Sequence, residues 1–273
     1  MTTDISQLTL PSIPPELKEL RLSVSKTKCF LACKKQFHYQ YILKIARKEF
    51  PFHTLGKAIH LILELFHSDC INGSILPLHS IMTNAYKTAM DQFGAKLLPA
   101  SRKEVFDMAD LYLKRITANK GSIRSVLSVE KNFAVDIGDK VILNGMIDKV
   151  QQDPDGIIHI QDYKTTKNMK YMKDDWFQLL TYAYIMYLED QSIERIRGSY
   201  VMLRHNHKLL TKEFSLDEIL DVKRLYEGYA KEIADTTLYP ASPTRLCEWC
   251  SAVNLCDEGK KFLGIETGET NWT

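Results

Sequence analysis

One segment constrains this sequence more than any other, because charged residues lie inside two apolar strands that surround a tight turn. It reads GMIDKVQQDPDGIIHIQDYKT and covers residues 145–165. The DPDG turn at 153–156 predicts a hairpin between two strands of the buried type. Charged side chains in such strands are costly unless they are paired or bind a cation. The charged residues of this hairpin are therefore the first candidates for a functional site.

Three of these charged residues are predicted to lie together. Pairing that is symmetric about the turn places Asp148 opposite Gln161 or, with a one-residue bulge, opposite Asp162. Asp162 and Lys164 are two residues apart, so their side chains share one face of the strand. Carboxylates arranged in this way hold Mg²⁺ or Mn²⁺, and the lysine can orient or deprotonate an attacking water. Taken alone, the short motif is equally compatible with solvated surface charges, but the apolar flanks favour the cation site.

The six cysteines form a second feature. Three of them lie within ten residues, as Cys247-x2-Cys250-x5-Cys256, which is the spacing that several thiolates need to bind one metal centre. A fourth ligand must come from far along the chain, and Cys29 and Cys33 are the candidates. Zinc and an iron–sulfur cluster both fit this pattern.

Composition excludes several classes of protein. The 273 residues, with 36 Lys and Arg against 34 Asp and Glu, fit an ordinary globular protein and exclude wholesale disorder. No apolar run approaches the roughly 20 residues that a membrane-spanning helix needs. The acidic, proline-containing N-terminus does not resemble a signal peptide. We expect a soluble cytoplasmic protein that binds no membrane and forms no structural disulfides.

The order of predicted elements favours one α/β domain. Helices come first, and three strands, a helix, two strands, a helix and the cysteine-containing tail follow. We expect a flexible leader over 1–20, a single domain over 21–257 and a C-terminal tail over 258–273. The predicted helices include one from an N-cap at Ser25 through Tyr41, one that begins near Thr54, and one over 174–188.

Four further motifs occur in a fixed order along the chain. They are G-x3-H ending at His60, G-x-I-D ending at Asp148, D-Y-K-T beginning at Asp162, and Q-x3-Y from Gln178 to Tyr182. With the cysteine pattern, this set resembles the PD-(D/E)XK nuclease superfamily, in particular RecB-type nuclease domains and CRISPR-associated four-cysteine exonucleases. The resemblance covers about residues 22–256. It implies a restriction-endonuclease-like mixed central sheet flanked by helices, with a helical N-terminal elaboration.

The resemblance also implies roles for residues of the hairpin and its neighbours. Lys164 would be the catalytic lysine, and Gln178 and Tyr182 would contact DNA or steady the site. The catalytic set would be Asp148, Asp162 and Lys164. The ligands of Mg²⁺ or Mn²⁺ would be His60, Asp148, Asp162 and the backbone carbonyl of Tyr163.

Two positions of the hairpin depart from the family pattern. Ile147 replaces the proline that gives the superfamily its name, and Asp162 stands where many members have glutamate. Both variations occur within RecB-like domains. Glu130, at the start of the first predicted strand, matches an acidic position of these families. There it could support the metal ligands without being one of them.

The same resemblance implies a 4Fe–4S cluster rather than zinc. In the related families the distant ligand precedes an aromatic residue by a few positions, and Cys33 in Cys-Lys-Lys-Gln-Phe fits that rule. Lys34 stands where the families usually have proline, and Cys29 and Cys70 would be spare. The cluster ligands would be Cys33, Cys247, Cys250 and Cys256.

Basic residues predict the DNA surface. Lys167 and Lys170 directly follow the active-site strand, and phosphate contact is their expected role. A second basic stretch over 21–48 has eight Lys or Arg and no acidic residue, and its aromatic residues are expected in the core. The predicted function is a metal-dependent DNA exonuclease that acts on single-stranded ends, in recombination, repair, replication or CRISPR adaptation. The alternative is an accessory DNA-binding subunit of a helicase or integrase complex.

Overall fold

The computed structural model describes residues 19–118, 123, 125–172 and 175–265. These residues form two compact units. The terminal unit comprises the described residues of 1–48, 134–144 and 224–273, and the central unit comprises those of 49–133 and 145–223. Positions 1–18 of the leader expected over 1–20 lie outside the described residues. The single-domain boundaries of 21–257 stay a prediction.

The described residues form a six-stranded mixed sheet. Its strands are β1 (Leu20–Leu22), β2 (Val126–Asp136), β3 (Val141–Gln152), β4 (Ile158–Lys164), β5 (Arg195–Met202) and β6 (Lys208–Ser215). The strand order is β1-β3-β4-β5-β6, and β2 pairs with β3 off this path. β1–β3 and β4–β5 are parallel, whereas β3–β4 and β5–β6 are antiparallel.

The α-helices follow the predicted order around these strands. They are α1 (Val24–Ala32), α2 (Lys34–Phe37), α3 (Pro51–Ile71), α4 (Leu78–Phe93), α5 (Pro99–Ala118), α6 (Phe177–Glu189), α7 (Leu216–Asp235) and α8 (Asp257–Leu263). A mixed sheet with helices on its faces confirms the predicted α/β class.

The central unit buries apolar side chains on both faces of the sheet. α3, α4 and α5 form one core that includes Tyr163 of β4 and Val201 of β5. Alternate residues of β5 point to opposite faces of the sheet. On the face opposite Val201, Gly198 lies beside Leu179 of α6. The sheet is therefore packed on both faces at β5.

Helix α3 carries one of the candidate ligands. It begins at Pro51, where a missing N–H costs nothing in the first turn, three residues before the predicted start near Thr54. Its buried residues recur every three or four positions, which is the spacing of one helix face. They include Leu55, Ile59, Ile62, Leu63 and Phe66.

In the terminal unit, one predicted helix is broken. The continuous helix from Ser25 through Tyr41 is wrong, because α1 starts after Ser23 as N-cap and ends before Cys33. Cys33 is extended, with φ −158°, and its sulfur accepts a hydrogen bond from the Gln36 N–H at 3.4 Å as the cap of α2. The cysteine therefore sits at a junction rather than on a helix face.

Other details of the sequence prediction compare as follows. The helix predicted over 174–188 is α6, which begins at Phe177, and position 174 lies outside the described residues. The sequence does not predict β1, because three residues are too few to show a period. Phe30 and Phe37 of the basic stretch are fully buried, as expected. Within the described ranges, no helix has the length and apolar character needed to span a bilayer.

The close packing at Gly198 gives a test of the fold. A Cβ at this position would lie 2.7 Å from Cε2 of Phe214 and 3.1 Å from Cβ of Leu179. We expect Gly198→Ala to lower the free energy of unfolding by about 1–3 kcal/mol in urea denaturation, because the ring and α6 must move. The control is Gly228→Ala inside α7, where a Cβ meets no atom within 4 Å. Equal stability of the two variants would contradict this packing.

Candidate active site

The two aspartates face each other where the hairpin ladder ends. The last pair of the β3–β4 ladder is Lys149 with Gln161, and one further step places Asp148 opposite Asp162. Gln161 is therefore not the partner of Asp148, and no bulge is needed. The Tyr163 N–H donates its hydrogen bond to Oδ2 of the Asp148 side chain, at 2.6 Å, and not to a backbone carbonyl of β3. The hairpin thus opens at the two carboxylates.

Asp162 is the more deeply buried carboxylate of the pair. Its side chain is 3% exposed, against 9% for Asp148. Oδ1 accepts a hydrogen bond from Nε2 of Gln178 at 2.7 Å. Oδ2 lies 2.6 Å from Nζ of Lys164 and forms an ion pair with it. The pKa of Asp162 is raised to about 6, mainly by burial. The Lys164 charge opposes this rise, and the Asp148 charge adds to it.

Gln178 of α6 joins the acidic and basic parts of the site. Its Oε1 accepts from Nζ of Lys164 at 2.9 Å, while its Nε2 donates to Asp162 and, at 2.8 Å, to the Tyr182 hydroxyl. Burial alone would lower the pKa of Lys164, but the Asp162 carboxylate outweighs it and raises this pKa. The lysine is therefore held as an ammonium beside the carboxylate.

His60 of α3 approaches the same carboxylates from another element. Its Nε2 lies 3.1 Å from the Tyr163 carbonyl oxygen, and its Nδ1 lies 3.6 Å from Oδ2 of Asp148. Burial would lower the pKa of His60, but Asp148 and then Asp162 and Glu130 raise it to about 9. The neighbouring carboxylates therefore favour the imidazolium form of His60.

Glu130, which the sequence analysis does not include among the ligands, lies beside them in the structure. Its carboxylate lies 4.0 Å from Nδ1 of His60, and single ligand atoms of His60, Glu130 and Asp148 all lie within 4.8 Å of one another. Burial, followed by the charge of Asp148, raises the pKa of Glu130 to about 7. Its φ is +43° inside β2, an unusual backbone for a non-glycine residue and one that occurs at functional sites.

The expected DNA-binding residues lie in different places. Gln178 and Tyr182 belong to the hydrogen-bonded carboxylate site. Lys167 and Lys170 are exposed on the segment that follows β4 and do not join that site. Lys173, which continues this basic group in sequence, lies outside the described residues.

The terminal unit brings the four predicted cluster cysteines to one cavity. Cys33, Cys247, Cys250 and Cys256 line this cavity, whose volume is about 230 Å³. Cys29 instead lies with its thiol 3.8 Å from Oε1 of Gln40.

Backbone N–H groups point at three of the cavity sulfurs. The Cys33 sulfur accepts from the N–H groups of Gln36 and Ser242, each at 3.4 Å. Two of the C-terminal cysteine sulfurs accept similar bonds, at 3.4 Å in Cys247 and 3.3 Å in Cys256. Such bonds favour the thiolate form that metals bind.

Several curated proteins are similar to this chain in sequence. Similar curated proteins include a subunit of the ATP-dependent helicase/deoxyribonuclease from Streptococcus pyogenes serotype M3 and its counterpart from serotype M1, each 24% identical over 246 residues. The matches cover 81% of this chain and 23% of each relative, so the chain spans less than a quarter of the relatives' length.

A solved structure supports the fold. A candidate exonuclease from Eubacterium rectale superposes with a TM-score of 0.53 at 12% identity, covering 96% of this chain and 93% of that protein. The sequence model of the PD-(D/E)XK nuclease superfamily matches residues 21–257. With the facing aspartates and the lysine in place on β3 and β4, this chain belongs to the PD-(D/E)XK nuclease superfamily.

Proposed function

We propose that this chain is a divalent-cation-dependent deoxyribonuclease that hydrolyses phosphodiester bonds. The observation that carries the proposal is the set of Asp148, Asp162 and Lys164 at the open end of the hairpin. Two buried carboxylates that face each other raise each other's energy, and a bound cation relieves this repulsion. An ordinary structural ion pair would not need the second carboxylate.

The donor set fits Mg²⁺ or Mn²⁺. Carboxylate and carbonyl oxygens are the ligands these ions prefer, and Mn²⁺ also accepts one imidazole. Among the described residues, Oδ2 of Asp162 is paired with the Lys164 ammonium at 2.6 Å, and the second lone pair of a carboxylate oxygen can bind a cation as well. The holding residues would be His60, Asp148, Asp162 and the Tyr163 carbonyl, to which the geometry adds Glu130.

The side chains of the site divide the chemistry between them. A bound cation would polarise the phosphate and lower the pKa of a water molecule. Lys164, kept protonated by Asp162, can stabilise the negative charge that develops on the scissile phosphate. Gln178 holds Lys164 and Asp162 at fixed separation through its two amide ends. Lys167 and Lys170 would contact the DNA backbone beyond the site.

A 4Fe–4S cluster is the second part of the proposal. Four thiolates can bind either zinc or an iron–sulfur cluster. The preference for the cluster rests on the resemblance to four-cysteine exonucleases, and the shared cavity of the four cysteines supports a common centre. The ligands would be Cys33, Cys247, Cys250 and Cys256, and their role would be structural because they belong to the terminal unit.

The preferred substrate would be a single-stranded DNA end, which makes the chain an exonuclease. Its curated relatives are named as subunits of an ATP-dependent helicase/deoxyribonuclease, which supports a role beside a helicase. The alternative is a DNA-binding subunit without catalysis. The complete carboxylate and lysine set argues against that alternative.

The catalytic assignment is tested by two substitutions. Asp162→Ala and Lys164→Ala should each lower Mn²⁺-dependent degradation of single-stranded DNA at least about 100-fold. Calorimetry should show that Asp162→Ala loses Mn²⁺ binding, whereas Lys164→Ala keeps it. Lys114→Ala, an exposed lysine paired with Asp110, is the control. Near-normal activity of either site variant would refute the assignment.

The cation site predicts a particular pH dependence. His60, with its pKa raised to about 9, and Glu130, with its pKa raised to about 7, must lose protons when they become ligands. The affinity for Mn²⁺ should therefore rise from pH 6 to 9, by up to about tenfold per pH unit for each proton released. His60→Gln should flatten this rise above pH 7. A pH-independent affinity, measured by calorimetry, would exclude these ligands.

The cysteine assignment is tested by iron content. Cys33→Ser should lose iron and the visible absorbance of the cluster as completely as Cys250→Ser. Cys29→Ser and Cys70→Ser are the matched controls and should retain both. Loss of iron in Cys29→Ser with retention in Cys33→Ser would reverse the choice of ligand, and zinc in place of iron would exclude the cluster.

A further inference from the structure

The end of β4 is held by hydrogen bonds that continue past the sheet. The parallel ladder between β4 and β5 ends at the pair of Lys164 and Met202. The Lys164 carbonyl still accepts from the Leu203 N–H at 2.9 Å. The next two residues after the catalytic lysine are held by side chains rather than by backbone groups.

Two consecutive side chains bind these two carbonyls. Nη1 of Arg204 donates to the carbonyl of Thr165 at 2.6 Å. Nε2 of His205 lies 3.1 Å from the carbonyl of Thr166, and as the protonated nitrogen it donates to that oxygen. The segment that leaves the active site is thus fixed in register with the end of β5.

Glu104 of α5 fixes the orientation of Arg204. Its two carboxylate oxygens accept from Nε and Nη2 of the arginine at 2.6 and 2.9 Å. This two-point contact sets the plane of the guanidinium and aims Nη1 at the Thr165 carbonyl. The Arg204 side chain is 12% exposed, so it is poorly placed to bind DNA itself.

The segment held in this way is the one that presents the exposed lysines. Residues 165–170, which we call the basic segment, contain Lys167 and Lys170. Inside it, the Asn168 N–H donates to Oγ1 of Thr166, and Oδ1 of Asn168 accepts from the Lys170 N–H at 3.0 Å. Its local conformation is therefore defined, and the carbonyl contacts define where it lies.

We infer that Arg204, oriented by Glu104 and assisted by His205, is a positioning residue that places the basic segment along a DNA backbone. This inference rests on the proposed deoxyribonuclease function. The arginine acts through Lys167 and Lys170 and does not touch the phosphates. Its loss should therefore change DNA binding only as far as those two lysines contribute to it.

The test compares DNA affinities across a salt series. The full chain is titrated against a fluorescein-labelled single-stranded oligonucleotide in EDTA, and fluorescence anisotropy is measured. Lys167→Ala/Lys170→Ala should lower the salt slope by about 1.4, or about 0.7 for each lost contact. Glu104→Gln should weaken binding and lower the slope in the same direction, although it makes the protein more positive.

Matched controls separate positioning from net charge. Asp107→Asn makes the same charge change one turn along α5, where the carboxylate pairs with Lys103, and it should leave binding unchanged or slightly tighter. Arg204→Gln should weaken DNA binding. Arg195→Gln, at an exposed arginine of β5, should lower the DNA affinity only by the small amount expected for one lost charge.

A double-mutant cycle decides whether Arg204 acts through the lysines. Added to Lys167→Ala/Lys170→Ala, Arg204→Gln should cause no further loss of affinity, because the contacts that it positions are already gone. Independent, multiplying losses would overturn the inference, as would Glu104→Gln binding as tightly as Asp107→Asn. In either case a reduced slope in the lysine variant would leave the proposed function standing. Absence of salt-dependent DNA binding by the unmodified protein would remove both.

Discussion

The central unit depends on one costly arrangement, the burial of two carboxylates that face each other where β3 and β4 separate. Asp148 and Asp162 are both buried side chains, and each ionised carboxylate raises the free energy of the other. Compensation therefore comes from several elements at once: a backbone N–H of β4, an amide of α6, an imidazole of α3 and an ammonium of β4. The groups are those of Tyr163, Gln178, His60 and Lys164. These groups offset the repulsion between the two carboxylates, and under the proposed function a bound cation would take over part of that role.

Tyr163 connects this site to the helical core. Its N–H donates to Asp148, and its carbonyl oxygen lies 3.1 Å from Nε2 of His60. Its hydroxyl lies 3.1 Å from that of Tyr112, which lies 2.7 Å from Nε2 of His67. These buried contacts anchor the side chain between α3 and α5. The backbone of a candidate ligand is therefore oriented by packing on the other face of its strand, as a preorganised site requires.

Much of this could be predicted from the sequence, because the hairpin has a strong turn signal and apolar flanks. The facing of Asp148 and Asp162 required only a one-residue change in register. The resemblance pointed to Glu130, but its approach to His60 could not be predicted, since no side-chain period reveals its local φ of +43°. The break at Cys33 escapes prediction for the opposite reason. Its neighbours Phe30 and Phe37 have helical spacing, but they lie on two separate helices.

The most direct test of the account is the location of Mn²⁺ in crystals grown with that ion. Anomalous scattering should give a peak coordinated by Asp148, Asp162 and the Tyr163 carbonyl, with His60 and Glu130 turned toward it. The same map should show Lys164 still paired with Gln178. A peak at another position, or no peak at saturating Mn²⁺ in protein that degrades DNA, would contradict the claim that the open end of this hairpin is the cation site.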